Sequence, residues 1–288
     1  MEIRLNDKIL DASLDNEKTI GEVLTVMEQW LSSSGHILSG ISVDGVPVKA
    51  SEIEETFKRD ITSVKCIDVQ TNPISELTAS SLITLLDDIN EFEKLKFEDK
   101  TNYFNRWKET ACGRFISKEI SDLFELCVRT FSNGDMTPQS LSSVAEEMLR
   151  EVTEPVKEFG DIEPVLNEIC EMLVDLPLDI QTGKDMKAAR TIQLFTAVTE
   201  KIYRIFYQMD IQGYINNGQK ANNNLPQSFP NKEQIIRQIT EFTDVLKELL
   251  EAYEKNDSVL VGDLAEYEAS VKIKELYTAI TENCRSVK

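Results

Sequence analysis

The sequence predicts an α+β protein: a small β-rich unit over residues 1–72, followed by an acidic helical bundle over residues 76–288. Three observations predict it. Apolar and polar residues alternate between turn signals as far as Val69. From Leu82 onward, apolar residues instead recur at three- and four-residue spacing, the period of a helix. Between the two regimes stands Asn72-Pro73, and the residue before a proline avoids the helical region.

The elements follow in order. Ile3 and Leu5 alternate with Arg4, and Leu10, Ala12 and Leu14 alternate again after Asn6-Asp7-Lys8, which predicts a hairpin. Thr19 and Glu22 form a capping-box signature. The helix it opens carries Ile20, Val23, Leu24, Met27, Trp30 and Leu31 on one face and stops at Gly35. In ISVDGVPVKA (41–50), Ile41 and Val43 alternate, Asp44-Gly45 suits a tight turn with positive φ, and Val46 and Val48 return. SEIEETFKRD predicts a short turn of helix, and ITSVKCIDV a last strand.

This order of hairpin, helix, hairpin, short helix and strand resembles the ubiquitin-like β-grasp. MEIRL, KTIGEVL and ISVDGVPV carry the resemblance, which covers residues 1–72. What it implies is a fold, because the family's chemistry departs. Ubiquitin and the related sulfur carriers act through a C-terminal Gly-Gly. Here the last strand runs into QTNPISEL, and the chain ends in Arg285-Ser286-Val287-Lys288. Ser42 takes the place of the central aliphatic residue of ubiquitin's recognition patch. A role as modifier or sulfur carrier is therefore not expected, and a shared fold does not supply another.

In the helical part, Leu82, Leu85, Leu86, Ile89 and Phe92 form one stripe. Phe115, Ile116, Ile120, Leu123, Phe124 and Cys127 form a second, ended by SNGD. Thr137-Pro138 predicts a cap and first turn, and Glu163-Pro164 another helix start. Residues 185–209, 235–253 and 271–280 complete the set. Residues 213–232, crowded with Asn, Gly and Pro, predict a long mobile loop. A weak repeat pairs 166–198 with 246–280: LNEICE with LKELLE, LFTAV with LYTAI, and Gly183 with Gly262 in turns between them. Such patterns also arise by chance among amphipathic helices.

Composition bounds the function. With 31 Lys and Arg against 51 Asp and Glu, the net charge is −20. No basic stripe interrupts the acidity, so neither nucleic acid nor an anionic membrane is an expected partner. No secretory start and no apolar run long enough for a membrane span is read. Five scattered cysteines suit reduced thiols in the cytoplasm. With one histidine, mixed Cys/His metal sites lack material, and no cofactor is expected.

Local motifs carry little chemistry. QTGKD (181–185) lacks the glycine that a phosphate loop needs at Leu178 and has Asp185 where a hydroxyl belongs, so Asp185 is read as a helix N-cap. NDSVLVGDLAEYE (256–268) places Val259 and Val261 where calcium ligands would sit, which predicts a tight interhelical turn with Asp263 near a helix start. His36 falls in a loop without a nucleophile or orienting group. Tyr103, Phe104, Trp107, Tyr203 and Tyr207 suit core packing or a groove for a partner helix, and they are the candidate partner-binding residues.

The expected function is a non-enzymatic cytoplasmic adaptor, scaffold or chaperone-like protein whose partner is another protein, basic or helical. Acidic bundles that hold secretion or flagellar substrates offer an analogy. The alternative is an enzyme or small-ligand regulator with a site between the two units.

Overall fold

The computed structural model describes residues 1–10, 17–100, 102–212, 214–215, 219–220, 231–255 and 257–285. The first hairpin shows why its turn residues were chosen. Asn6 and Asp7 both take positive φ (50° and 66°), as the tight turn between β1 (Glu2–Leu5) and β2 (Lys8–Ile9) requires. The return residues Ala12 and Leu14 lie outside the described residues. Thr19 then caps α1 (Ile20–Ser33) with the full capping box: its side chain accepts from Glu22 N–H, while the Glu22 carboxylate receives the Thr19 N–H. Strand β3 (His36–Val43) turns through Asp44 (φ 52°) and Gly45 (φ 81°) into β4 (Val46–Pro47). Glycine suits the second turn position because a side chain there would be strained. The short α2 (Ile53–Phe57) and a 3₁₀ turn at Ile61–Ser63 precede β5 (Cys66–Pro73).

These strands form one mixed sheet in the order β2-β1-β5-β3-β4, with β1 and β5 parallel and the other pairs antiparallel. The period-two face of the sheet meets the 3.6-period face of α1. Ile3, Leu5, Ile41, Val43, Ile67 and Val69 pack with Ile20, Val23, Leu24, Met27 and Leu31 in a single core. Each such side chain contributes roughly 1.5–3 kcal/mol by leaving water. Two expectations are corrected. Trp30 sits at the border of the helix face, 37 % exposed, rather than in it. His36 opens β3 instead of lying in a loop, and its Nδ1 stands 2.9 Å from the Ser34 carbonyl.

The chain separates into two compact units, Met1–Leu85 and Leu86–Lys288, and is α+β with helix predominant. Helix α3 (Ile74–Lys94) buries Leu82, Leu85, Ile89 and Phe92. Two single-turn helices follow, α4 (Phe97–Lys100) and α5 (Tyr103–Trp107). The stripe expected from 115 to 127 is interrupted. Ile120 leaves the helical region (φ −138°, ψ 65°) and separates α6 (Ala111–Glu119) from α7 (Ser121–Val128). A π-helical turn, Arg129–Asn133, ends at Gly134.

Next come α8 (Pro138–Thr153), capped by Thr137 with Pro138 in its first turn, and α9 (Pro155–Gly160). The long helices α10 (Glu163–Gln181) and α11 (Asp185–Ile211) pair through a three-residue turn. Asp185 is the first helical residue of α11 rather than its N-cap, since Lys184 holds that place without a side-chain bond. Most of 213–232 lies outside the described residues. Within it, β6 (Tyr214–Ile215) pairs antiparallel with β7 (Gln219–Lys220). Helix α12 (Lys232–Glu254) leads to α13 (Ser258–Asp263), a π-helical stretch at Leu264–Ala269, and α14 (Ser270–Arg285).

Residues 258–268 of the expected interhelical turn are therefore helical. Asp257, not Asp263, caps α13, accepting from Leu260 N–H at 3.1 Å. Gly262 is not a turn glycine like Gly183, whose φ is 71°. It lies within α13, where an added Cβ would come 2.9 Å from Cγ of Pro177 on α10. The segments 166–171 and 246–251 fall on α10 and α12, and 194–198 and 276–280 on α11 and α14. No helix among the described residues is long and apolar enough to cross a membrane.

Candidate functional site

Four helices of the second unit converge on a cleft of about 350 Å³. Helix α8 lines it with Glu147, and Arg150 and Glu151 share that helix face, since residues three and four apart are neighbours. The chain then breaks at Glu154 (φ −131°, ψ 48°), and α9 brings Glu158 back toward the same place. Ile162, just before α10, and Val165 and Ile169 within it also line the cleft. Leu194, Ala197, Val198, Lys201 and Arg204 repeat at three- and four-residue spacing along α11.

One end of the cleft is a network of charges. Arg204 grips the buried Glu151 carboxylate with two hydrogen bonds, Nε to Oε2 at 3.0 Å and Nη2 to Oε1 at 2.9 Å. Lys201 Nζ donates to Glu147 Oε1 at 2.6 Å and lies 3.5 Å from Glu158 Oε2 and 4.0 Å from Glu151 Oε1. Arg150 Nε reaches Glu158 Oε1 at 3.4 Å. Three carboxylates thus meet three cations. Burial disfavours the charge on Glu147, but the Lys201 hydrogen bond and charge, aided by Arg204 and Arg150, hold its carboxyl below the ordinary range. Burial likewise opposes the Arg204 charge, and Glu151 outweighs it, moving that pKa up.

Most of the remaining lining is apolar. Val165 is 49 % exposed and Leu194 36 %, above the buried Ile162, Ile169 and Val198. Asp161 and Glu200 stand at the rim, both exposed. Chemically the site can seat apolar side chains and hold cations. Among the described residues no cluster of His, Cys, Asp or Glu is arranged for a metal ion.

The aromatic candidates divide between two places. Tyr103, Phe104 and Trp107 join Phe92, Phe124 and Phe131 in one ring cluster, with centroids 4.9–6.1 Å apart. Trp107 is buried and donates Nε1–H to Asp88 Oδ2 at 2.9 Å; Tyr103 donates its hydroxyl to the Asp88 carbonyl at 3.0 Å. Burial raises the Asp88 carboxyl above its usual range, and the Trp107 bond opposes this. Tyr203 is half-buried on α11 with its hydroxyl 3.4 Å from Thr243 Oγ1, and Tyr207 is 52 % exposed. None of the five lines the cleft. The residues that do were passed over in the sequence, where helix-face Glu and Lys look like solvated charge. The only signal was their i, i+3 and i, i+4 spacing on two separate helices.

Lys184 of QTGKD and the nearby Lys187 pair with a carboxylate of their own helix pair. Lys187 and Lys184 lie 2.8 and 3.2 Å from the buried Asp179 carboxylate, and the Lys187 bond, with that of Lys184, keeps it below the usual carboxylate range. Lys184 N–H also donates to the Asp179 carbonyl at 2.8 Å, closing the turn at Gly183.

Two family models without an assigned activity match parts of the chain. Residues 1–73 match a family model described as TP0873 N-terminal domain. Residues 158–279 match one described as a domain of unknown function, DUF8042, which runs from α9 into α14. An uncharacterized protein of Treponema pallidum (strain Nichols) is 21 % identical over 280 residues, 97 % of this chain and 96 % of its own. That similarity runs across both units. No solved structure matches the chain significantly.

Proposed function

We propose that the protein is a non-enzymatic adaptor, scaffold or chaperone-like protein that binds another protein, and that the cleft between α8, α9, α10 and α11 is where it does so. The observation that carries this is the cleft's composition: an open apolar strip beside a charge network that is already internally paired. Partner helices dock in apolar grooves of this kind, and charged groups around them set register and choice of partner. A cytoplasmic setting accords with the free thiols of Cys66, Cys127 and Cys170.

We also read residues 1–72 as a ubiquitin-like β-grasp. The support is the strand order β2-β1-β5-β3-β4 with a parallel central pair and one helix packed across the sheet. On this reading the sheet serves as scaffold.

Affinity capture from native cell extract tests the function, with the full chain as bait beside its Leu194→Glu variant. The expected result is a stoichiometric protein partner held by the natural chain and lost by the variant. Identical retained proteins for both baits would remove the cleft from the account.

A further inference from the structure

The cleft has more to say about what it takes. Its cations are already used: Lys201 and Arg204 face Glu147, Glu151 and Glu158. Its rim carboxylates Asp161 and Glu200 are exposed; their charges act on Lys157 and Arg204, but among the described residues neither makes a close ion pair with them. The field left over at the mouth is therefore negative, on a chain whose net charge is −20. Val165, Leu194 and Ala197 add apolar surface to the same lining. A volume of about 350 Å³ accepts about two leucine-sized side chains, judged against the ~150 Å³ space a core leucine leaves. Two apolar anchors with cations beside them are what an amphipathic basic helix presents at positions i and i+3 or i+4.

We infer that the cleft docks a basic amphipathic helical segment of a partner protein, its aliphatic anchors on Val165 and Leu194 and its Lys or Arg flanks on Asp161 and Glu200. This rests on the protein-binding reading above and adds the partner's chemistry. A strongly acidic chain attracts cationic peptides everywhere, so the test must separate the cleft from general charge.

The probe is a synthetic 14-residue amphipathic peptide of leucine and lysine, with a glutamate-for-lysine counterpart, titrated calorimetrically into the full chain. The lysine peptide binds at one site, about tenfold or more tighter than the glutamate peptide. Asp161→Lys combined with Glu200→Lys weakens it about tenfold, as do Leu194→Glu and, separately, Val165→Glu. The same charge reversal at the exposed Glu248 and Glu254 of α12, which do not line the cleft, changes affinity less than about twofold. Circular dichroism confirms that each variant is folded.

Equal weakening by both double reversals would overturn the proposal, as would equal binding of the two peptides. If a partner is captured through the cleft but the lysine peptide does not displace it, the basic-helix proposal fails while protein binding stands.

Discussion

The guanidinium of Arg204 and the carboxylate of Glu151 meet edge to edge, with both hydrogen bonds near 3 Å and Glu151 only 2 % exposed. This contact ties α11 to α8 across 53 residues of chain and holds Arg204, which lines the cleft. Arg204→Ala leaves a buried carboxylate with Lys201 4.0 Å away as its nearest remaining cation. The expected loss is about 2 kcal/mol in urea unfolding, less than the ~3–5 of a fully buried pair because the Arg204 side chain is 41 % exposed. Replacing both partners by Met costs less than either single change, because no charge is left stranded.

Gly262 and Pro177 give a second coupling. Gly262→Ala drives a methyl group against the rigid proline ring, and the expected net loss is about 1 kcal/mol, with overpacking exceeding the gain in helix propensity. In the Pro177→Ala background the same change stabilises. A double-mutant cycle in thermal or urea unfolding reads the change of sign.

Asp44 gives an acid-dependent prediction. Its Oδ1 accepts from the Lys65 and Cys66 N–H groups at 2.8 and 2.9 Å, and these bonds hold its pKa below the ordinary value. A folded-state pKa below the unfolded one means that the contribution is complete above the unfolded value, about 3.9, and fades as pH falls through the folded one. Carbon-detected NMR titration finds the Asp44 midpoint low. Asp44→Asn keeps an acceptor and tolerates positive φ, so it preserves the turn but removes this part of the acid dependence.

Thiol labelling tests the cores. Burial pushes the Cys112 thiol up to about 12 and also raises Cys127 and Cys170, so all three stay unmodified by a thiol reagent at pH 8 until the chain unfolds. The half-buried Cys66 and Cys284 label first. Peptide mapping after brief alkylation reads the order.

Local chemistry was legible in the sequence, and long-range pairing was not. Thr19 with Glu22, Asn6-Asp7, Asp44-Gly45 and Thr137-Pro138 all act within four residues, and each does in the fold what its residue types dictate. Gly262 misled because a glycine between helical patterns serves equally as a turn or as a place for close helix packing. The neighbour that decides, Pro177, lies on another helix. Asp185 misled by one position, since capping and first-turn acids share a composition. The cleft stayed hidden for a further reason. Glu147, Glu151 and Glu158 resemble solvated helix faces until α11 brings Lys201 and Arg204 against them. The aromatic residues stood out by type, yet Trp107 and Tyr103 spend their polar atoms on Asp88 inside their own cluster.

The central claim is that this chain receives a partner protein in the cleft beside Leu194. The most direct measurement places a photo-crosslinking benzoylphenylalanine at position 194 in the full chain, expressed in its native cells, with the exposed Val259 of α13 as control position. The expected result is a discrete crosslinked protein from position 194 that is absent from position 259. No adduct at 194, or the same adducts at both positions, would contradict it.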